Sequence, residues 1–150
     1  MLTIEGIAGL REWLGRDIGT SDWLEIDQQR IDLFAEATGD HQWIHTDPAR
    51  AASGPHGTTI AHGYLSLSLL PGLSSEIYTV AGVSATVNYG LNKVRFPAPV
   101  PVGSRVRNSV HLLSLTEVPS GMQATVRHTL ELQGSERPAV VAEQLRLMVA

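Results

Sequence analysis

The sequence contains no cysteine. Disulfides and thiolate metal sites are thereby excluded, and a reducing cytosol is permitted; the cytoplasm is the expected location. Charge is scarce as well. Charged residues make up 17% of the 150, the formal net charge is -4, and no basic patch stands out. That balance argues against nucleic acid or an anionic membrane as partner. No apolar run approaches the length of a bilayer span. The first seventeen residues lack a basic stretch followed by an apolar one, so no secretory signal is expected. There is no internal repeat and no linker.

What remains is an ordinary globular balance, with 43% hydrophobic residues. The length suits one domain, residues 1–150, able to bury a core without staples. Ile4, Ile7, Leu10 and Leu14 recur at spacings of three and four, which predicts an N-terminal amphipathic helix over 4–14. Asp22 to Ile26 reads as a short strand. Asp27 can cap a helix from Gln28 to Thr38 with a buried stripe of Ile31, Phe34, Ala35 and Thr38, and Gly39 is a natural stop. Asp47-Pro48 starts a short helix that Ser53-Gly54-Pro55 breaks. A longer helix is expected from Thr59 to Leu70, extending past Pro71. It is apolar or small nearly all round and so belongs inside the protein.

The second half changes period. Val83 to Tyr89 and Asn92 to Phe96 read as strands, followed by a stiff segment with Pro97, Pro99 and Pro101. Arg105–Val118, Met122–Leu132 and Val140–Val149 alternate over longer stretches; Val141, Leu145, Leu147 and Val149 share one face of the last. Helices followed by strands imply an α+β fold: an antiparallel sheet wrapped around a long central helix, with an extra N-terminal helix. Such a sheet leaves an edge strand open, and a homodimer that covers it is expected.

The chemistry concentrates in Thr38-Gly39-Asp40-His41-Gln42-Trp43-Ile44-His45-Thr46-Asp47-Pro48. A loop pinned by a helix stop and a helix start can aim the Asp40 carboxylate and the His45 imidazole at one point. That pair suits proton transfer near neutral pH. A capping Asp and a satisfied surface His are the blander account of the same residues. Gly63, in Ala61-His62-Gly63-Tyr64, falls in the first turn of a helix. Its bare N–H, backed by the helix dipole, can hold an oxyanion; close helix packing is the alternative. His41, His45, His56 and His62 do not make an obvious complete ligand set, so no metal is expected. Lys93 and Arg95 share a strand face and can meet phosphates, or simply be solvated.

Thr38-Gly39-Asp40 through Ile44-His45, Ala51, Ile60-Ala61-His62-Gly63, and Asn88 to Val100 together resemble the MaoC-like (R)-specific enoyl-CoA hydratases. The similarity runs along nearly the whole chain and is nearest to single-domain mycobacterial-type members with an extra N-terminal helix. It implies one hot-dog domain over 1–150, usually dimeric. It also implies reversible hydration of a trans-2-enoyl-CoA to a (3R)-hydroxyacyl-CoA within fatty-acid metabolism. Asp40 and His45 correspond to the acid–base pair and Gly63 to the oxyanion donor. Gln42, His62, Tyr89, Asn92, Lys93 and Arg95 are the expected substrate-binding residues. No cofactor is expected, since coenzyme A is part of the substrate. Gln42-Trp43 departs from the family's Asn-Pro between the catalytic residues. A hot-dog acyl-CoA thioesterase fits less well, because the central helix carries no acid before Glu76. A non-catalytic acyl-binding subunit would not need Asp40, His45 and Gly63 together.

Overall fold

Strict alternation in three long strands builds the sheet. In β6 (Ser104–Val118) the core side carries Val106, Asn108, Val110 and Leu112; in β7 (Gly121–Leu132) it carries Met122, Ala124, Val126, His128 and Leu130. These two strands pair along their whole length, and β8 (Val140–Val149) pairs with β7, both antiparallel. The outer strands are β5 (Ala85–Arg95), antiparallel to β8, and β2 (Asp17–Thr20), antiparallel to β6. The order is β2-β6-β7-β8-β5, with β3 (Leu24–Ile26) also paired to β6. The computed structural model from which this description is taken describes residues 1–149.

The last strand departs from its apparent pattern. Val141, Leu145, Leu147 and Val149 do share a face, but it is the half-buried outer one. The core receives Val140, Ala142, Gln144 and Met148. With apolar residues on both sides the strand's own period is ambiguous, and pairing of Val140 with Leu130 decides it. Buried polar groups on the core face are linked to one another. His128 donates from Nε2 to Gln144 and accepts at Nδ1 from Asn108, which also donates to Ser74. Gln144 donates onward to Asn88.

The central helix is in two pieces. It begins at Gly63, four residues later than the pattern suggests, and runs as α5 (Gly63–Ser68) and α6 (Leu70–Ile77). Thr59 to His62 are extended instead, because Ile60 bridges to Pro101 and its N–H bonds the Ile44 carbonyl. Pro71 has no N–H to continue the ladder, so the helix restarts at Leu70 with proline in its first turn. Nor is the helix buried all round. Leu65, Ser66, Leu70, Leu73, Ser74 and Ile77 face the sheet, while Tyr64 is 70% exposed.

Helix α2 (Gln28–Thr38) follows expectation, capped by the Asp27 side chain and closed by Gly39 at φ 78°. Its buried residues are Ile31 and Ala35; Thr38 is exposed. Near the N-terminus, Ile4 lies in a strand, β1 (Leu2–Glu5), parallel to β4 (Tyr78–Ala81), and the helix α1 spans only Gly6–Arg11. β2 and β4 have four residues each, too few to show a period. A sheet curled over a helix in this way is the hot-dog arrangement, with the N-terminal helix added as expected.

Candidate active site

The loop after Gly39 is more ordered than its sequence suggests. Asp40 accepts a bond from the Gln42 N–H (3.3 Å), and a single helical turn, α3 (Trp43–Thr46), carries His45. Asp47 then caps α4 (Pro48–Ala52) by accepting from the Arg50 N–H. Trp43 stands in place of a rigid proline, yet it is held. Its ring packs on Gly54, where a Cβ would meet it at 3.0 Å, and the Arg50 guanidinium lies 4.3 Å above it.

His45 is buried and fixed at both ends. Its Nδ1 donates to the Ile60 carbonyl at 2.7 Å, while its own carbonyl accepts from Gln28 Nε2 at 2.7 Å. Gln28 also accepts from the Thr59 hydroxyl at 2.6 Å, so one side chain of α2 ties together both segments that frame the site. A carbonyl can only accept, so the neutral ring keeps its proton on Nδ1 and leaves Nε2 as a free base. Burial pushes the His45 pKa down. The Ile60 bond raises it, His62 lowers it and Asp40 raises it, with the net shift downward from 6.5.

His62 completes the cluster. It is buried, its Nε2 donates to the Asp40 carbonyl at 2.9 Å, and its ring stacks on His45. Its Nδ1 finds no protein partner among the described residues. One ligand-type atom from each of Asp40, His45 and His62 lies within 4.8 Å of the others. The bond from His62 to the Asp40 backbone also explains how an exposed aspartate is kept beside a buried histidine.

Gly63 follows at the first position of α5, and its N–H has no protein acceptor among the described residues. A Cβ here would meet the Phe96 ring at 3.3 Å. A cavity of about 310 Å³ is lined by His45, His56, Gly63, Ser66 and Phe96, with Ala61 and Val100 among its apolar walls. The structure thus brings Asp40, His45, His62 and Gly63 together. Gln42 borders them as the residue that opens α3, through its backbone. Tyr89, Asn92, Lys93 and Arg95 lie exposed on β5 and do not line this cavity; Phe96, just past the strand, does. Gln28, His56, Ser66 and Phe96 were not among the expected site residues. Ser66, one turn after Gly63 on the same helix face, was accessible from spacing alone.

Residues 11–132 match the MaoC like domain family. The chain belongs to that family of dehydratases, whose reaction is the loss or addition of water. It is 56% identical over 151 residues to 3-hydroxyacyl-thioester dehydratase Z of Mycobacterium tuberculosis, covering 100% of both chains. It is 41% identical over 145 residues to nodulation protein N of Rhizobium leguminosarum bv. viciae, covering 95% of this chain and 90% of that one. Among solved structures it resembles the (R)-hydratase from A. caviae involved in PHA biosynthesis, with TM-score 0.73 and 26% identity over 89% of this chain and 94% of that one.

Proposed function

We propose that this protein catalyses the reversible addition of water to trans-2-enoyl-CoA thioesters, giving (3R)-hydroxyacyl-CoA. The observation that carries the reading is the free Nε2 of His45, on a cavity also lined by Gly63, with an Asp40 carboxylate oxygen within 4.8 Å of a His45 ring nitrogen. The similarity to an acyl-thioester dehydratase along the full length supports the substrate class, and the likeness to an (R)-hydratase supports the stereochemical outcome.

The chemistry follows from these groups. Polarising the thioester carbonyl makes C3 electrophilic, and the Gly63 N–H at the start of α5 stabilises the enolate-like oxygen that develops. His45 Nε2 takes a proton from water as the oxygen bonds to C3. Asp40 relays the proton taken by His45 on to C2, directly or through solvent, so that both groups end as they began. The lowered pKa of His45 keeps it a base at neutral pH. The reaction needs no metal and no cofactor, since coenzyme A arrives as part of the substrate. The exposed face of β5 is where a second copy of the chain pairs, giving a homodimer in the cytoplasm.

The test follows the conjugated enoyl-thioester absorbance with crotonyl-CoA and longer homologues. Loss of absorbance without release of free thiol supports hydration. Thiol release would mean a thioesterase, and binding without either change would mean an acyl carrier.

A further inference from the structure

A second cavity, of about 270 Å³, lies toward the C-terminal end of α6, between the N-terminal segment and the sheet. It shares no lining residue with the cavity of His45 and Gly63. Its walls include Leu10, Leu112, Val126 and Met148, and the cationic groups in the lining residues are the Arg146 guanidinium and the N-terminal amine of Met1. Arg146 occupies the core side of β8, in alternation with Val140, Ala142, Gln144 and Met148. No carboxylate pairs with it among the described residues. An unpaired guanidinium on the inner face of a sheet is costly unless something anionic meets it.

Its hydrogen-bond partner among the described residues sharpens the chemistry. Arg146 donates from Nη1 to the Tyr78 hydroxyl, and its guanidinium lies 5.4 Å from the centre of that ring. The hydroxyl oxygen accepts this bond, so the phenol's own proton is left to donate, and no acceptor for it exists among the described residues. Burial raises the Tyr78 pKa, so that proton stays in place at neutral pH. Both members of the pair therefore present unspent donors, and the rest of the guanidinium fork is free. Donors of this kind match an acceptor-only head such as a carboxylate, which Arg engages through two parallel bonds.

We infer that this cavity binds a monocarboxylate with an apolar tail, its head on Arg146 and Tyr78 and its tail along Leu112, Val126 and Met148. The volume is just under the usual range for ligand pockets (about 300–1,000 Å³), which restricts the tail to short or medium length. The site is independent of the hydratase reading.

The experiment is calorimetric titration of the intact protein with octanoate and, as the uncharged match, octanol. Octanoate binds more tightly than octanol. Arg146→Met weakens octanoate by about tenfold or more, the loss expected for a charge-assisted hydrogen bond, and leaves octanol nearly unchanged. Asp40→Asn leaves octanoate binding intact, which separates this cavity from the acyl site. Tyr78→Phe, which keeps the ring and removes the donor, weakens octanoate by a smaller factor. It carries the same test should Arg146→Met fail to fold on a melting curve. Absence of octanoate binding to the wild-type protein overturns the inference. So does binding that survives both Arg146→Met and Tyr78→Phe, or that disappears with Asp40→Asn.

Discussion

The imidazole rings of His45 and His62 lie stacked, their centroids 3.8 Å apart and their planes inclined by 23°. Each hangs from a backbone carbonyl, His45 from Ile60 and His62 from Asp40. Burial lowers the His45 pKa, and the neighbouring His62 adds to that. The stacked ring is thus a platform that favours neutral His45, ready in the proposed mechanism to accept a proton.

The pH profile of turnover reports that platform. His45 must be neutral to act as base, and its folded-state pKa lies below 6.5. The acid limb of kcat/KM should accordingly have its midpoint below 6.5, and His62→Gln, which removes the stacked imidazole, should move that midpoint upward. A midpoint above 6.5 in the wild-type enzyme would mean that His45 is not the base being titrated.

The proposed oxyanion donor, the Gly63 N–H, is separable from the space around it. Gly63→Pro removes the N–H at a helix position that tolerates proline. Losing one such donor costs about 2.7–4 kcal/mol in the transition state. Gly63→Ala keeps the N–H and adds only a methyl 3.3 Å from Phe96, so it should retain far more activity. Circular dichroism confirms the fold of both. Equal rates in the two variants would argue that space at Gly63 matters rather than its N–H.

Acid stability depends on a residue far from the proposed chemistry. His128 is fully buried, and burial lowers its pKa to about 4. A histidine lowered in the folded state binds fewer protons than in the unfolded chain. Stability is therefore retained above 6.5 and lost as pH falls from about 6.5 toward 4, by roughly 3 kcal/mol in all. Denaturant titrations at several pH values should show this slope, and His128→Gln should flatten it. An unchanged slope in the variant would exclude His128 as its source.

The free edge of β5 predicts assembly. This strand of eleven residues pairs with β8 on one side only, and Val87, Tyr89 and Leu91 are exposed on it. Long apolar edges are ordinarily covered by another strand. Light scattering should give the mass of a dimer, and Val87→Pro, which removes an edge donor, should shift it toward monomer. A wild-type protein that stays monomeric at working concentration would contradict this.

Much of this was legible in the sequence because its signals were local. Asp27, Gly39, Asp47 and Pro48 mark helix ends through the chemistry of their own side chains or backbone, and α2 begins and ends where they place it. β6 and β7 alternate cleanly and were placed to within a residue. The misses came from distant partners. Thr59 to His62 look helical, yet Ile60 is drawn into an extended bridge with Pro101. The core face of β8 is chosen by β7. What read as two strands from Val83 to Phe96 is one strand whose register shifts near Gly90 and Asn92. In the candidate site, Asp40, His45 and Gly63 are picked out by the family resemblance; the structure places Asp40 and His45 beside His62 and puts Gly63 on the His45 cavity. Gln28 was not legible, since nothing local shows that a helix residue reaches His45 and Thr59 across the loop.

The most direct test of the central claim is the hydration rate of crotonyl-CoA by Asp40→Asn, His45→Gln and the double variant, with melting temperatures on the same samples. Both substitutions keep size and hydrogen bonding while removing proton transfer. Each single variant should lose about 10²–10⁴-fold in rate with its melting temperature nearly unchanged. Because the two groups act on one addition, the double variant should be little worse than the poorer single one. A folded single variant that hydrates crotonyl-CoA at near the wild-type rate would remove that residue from the reaction and contradict the account.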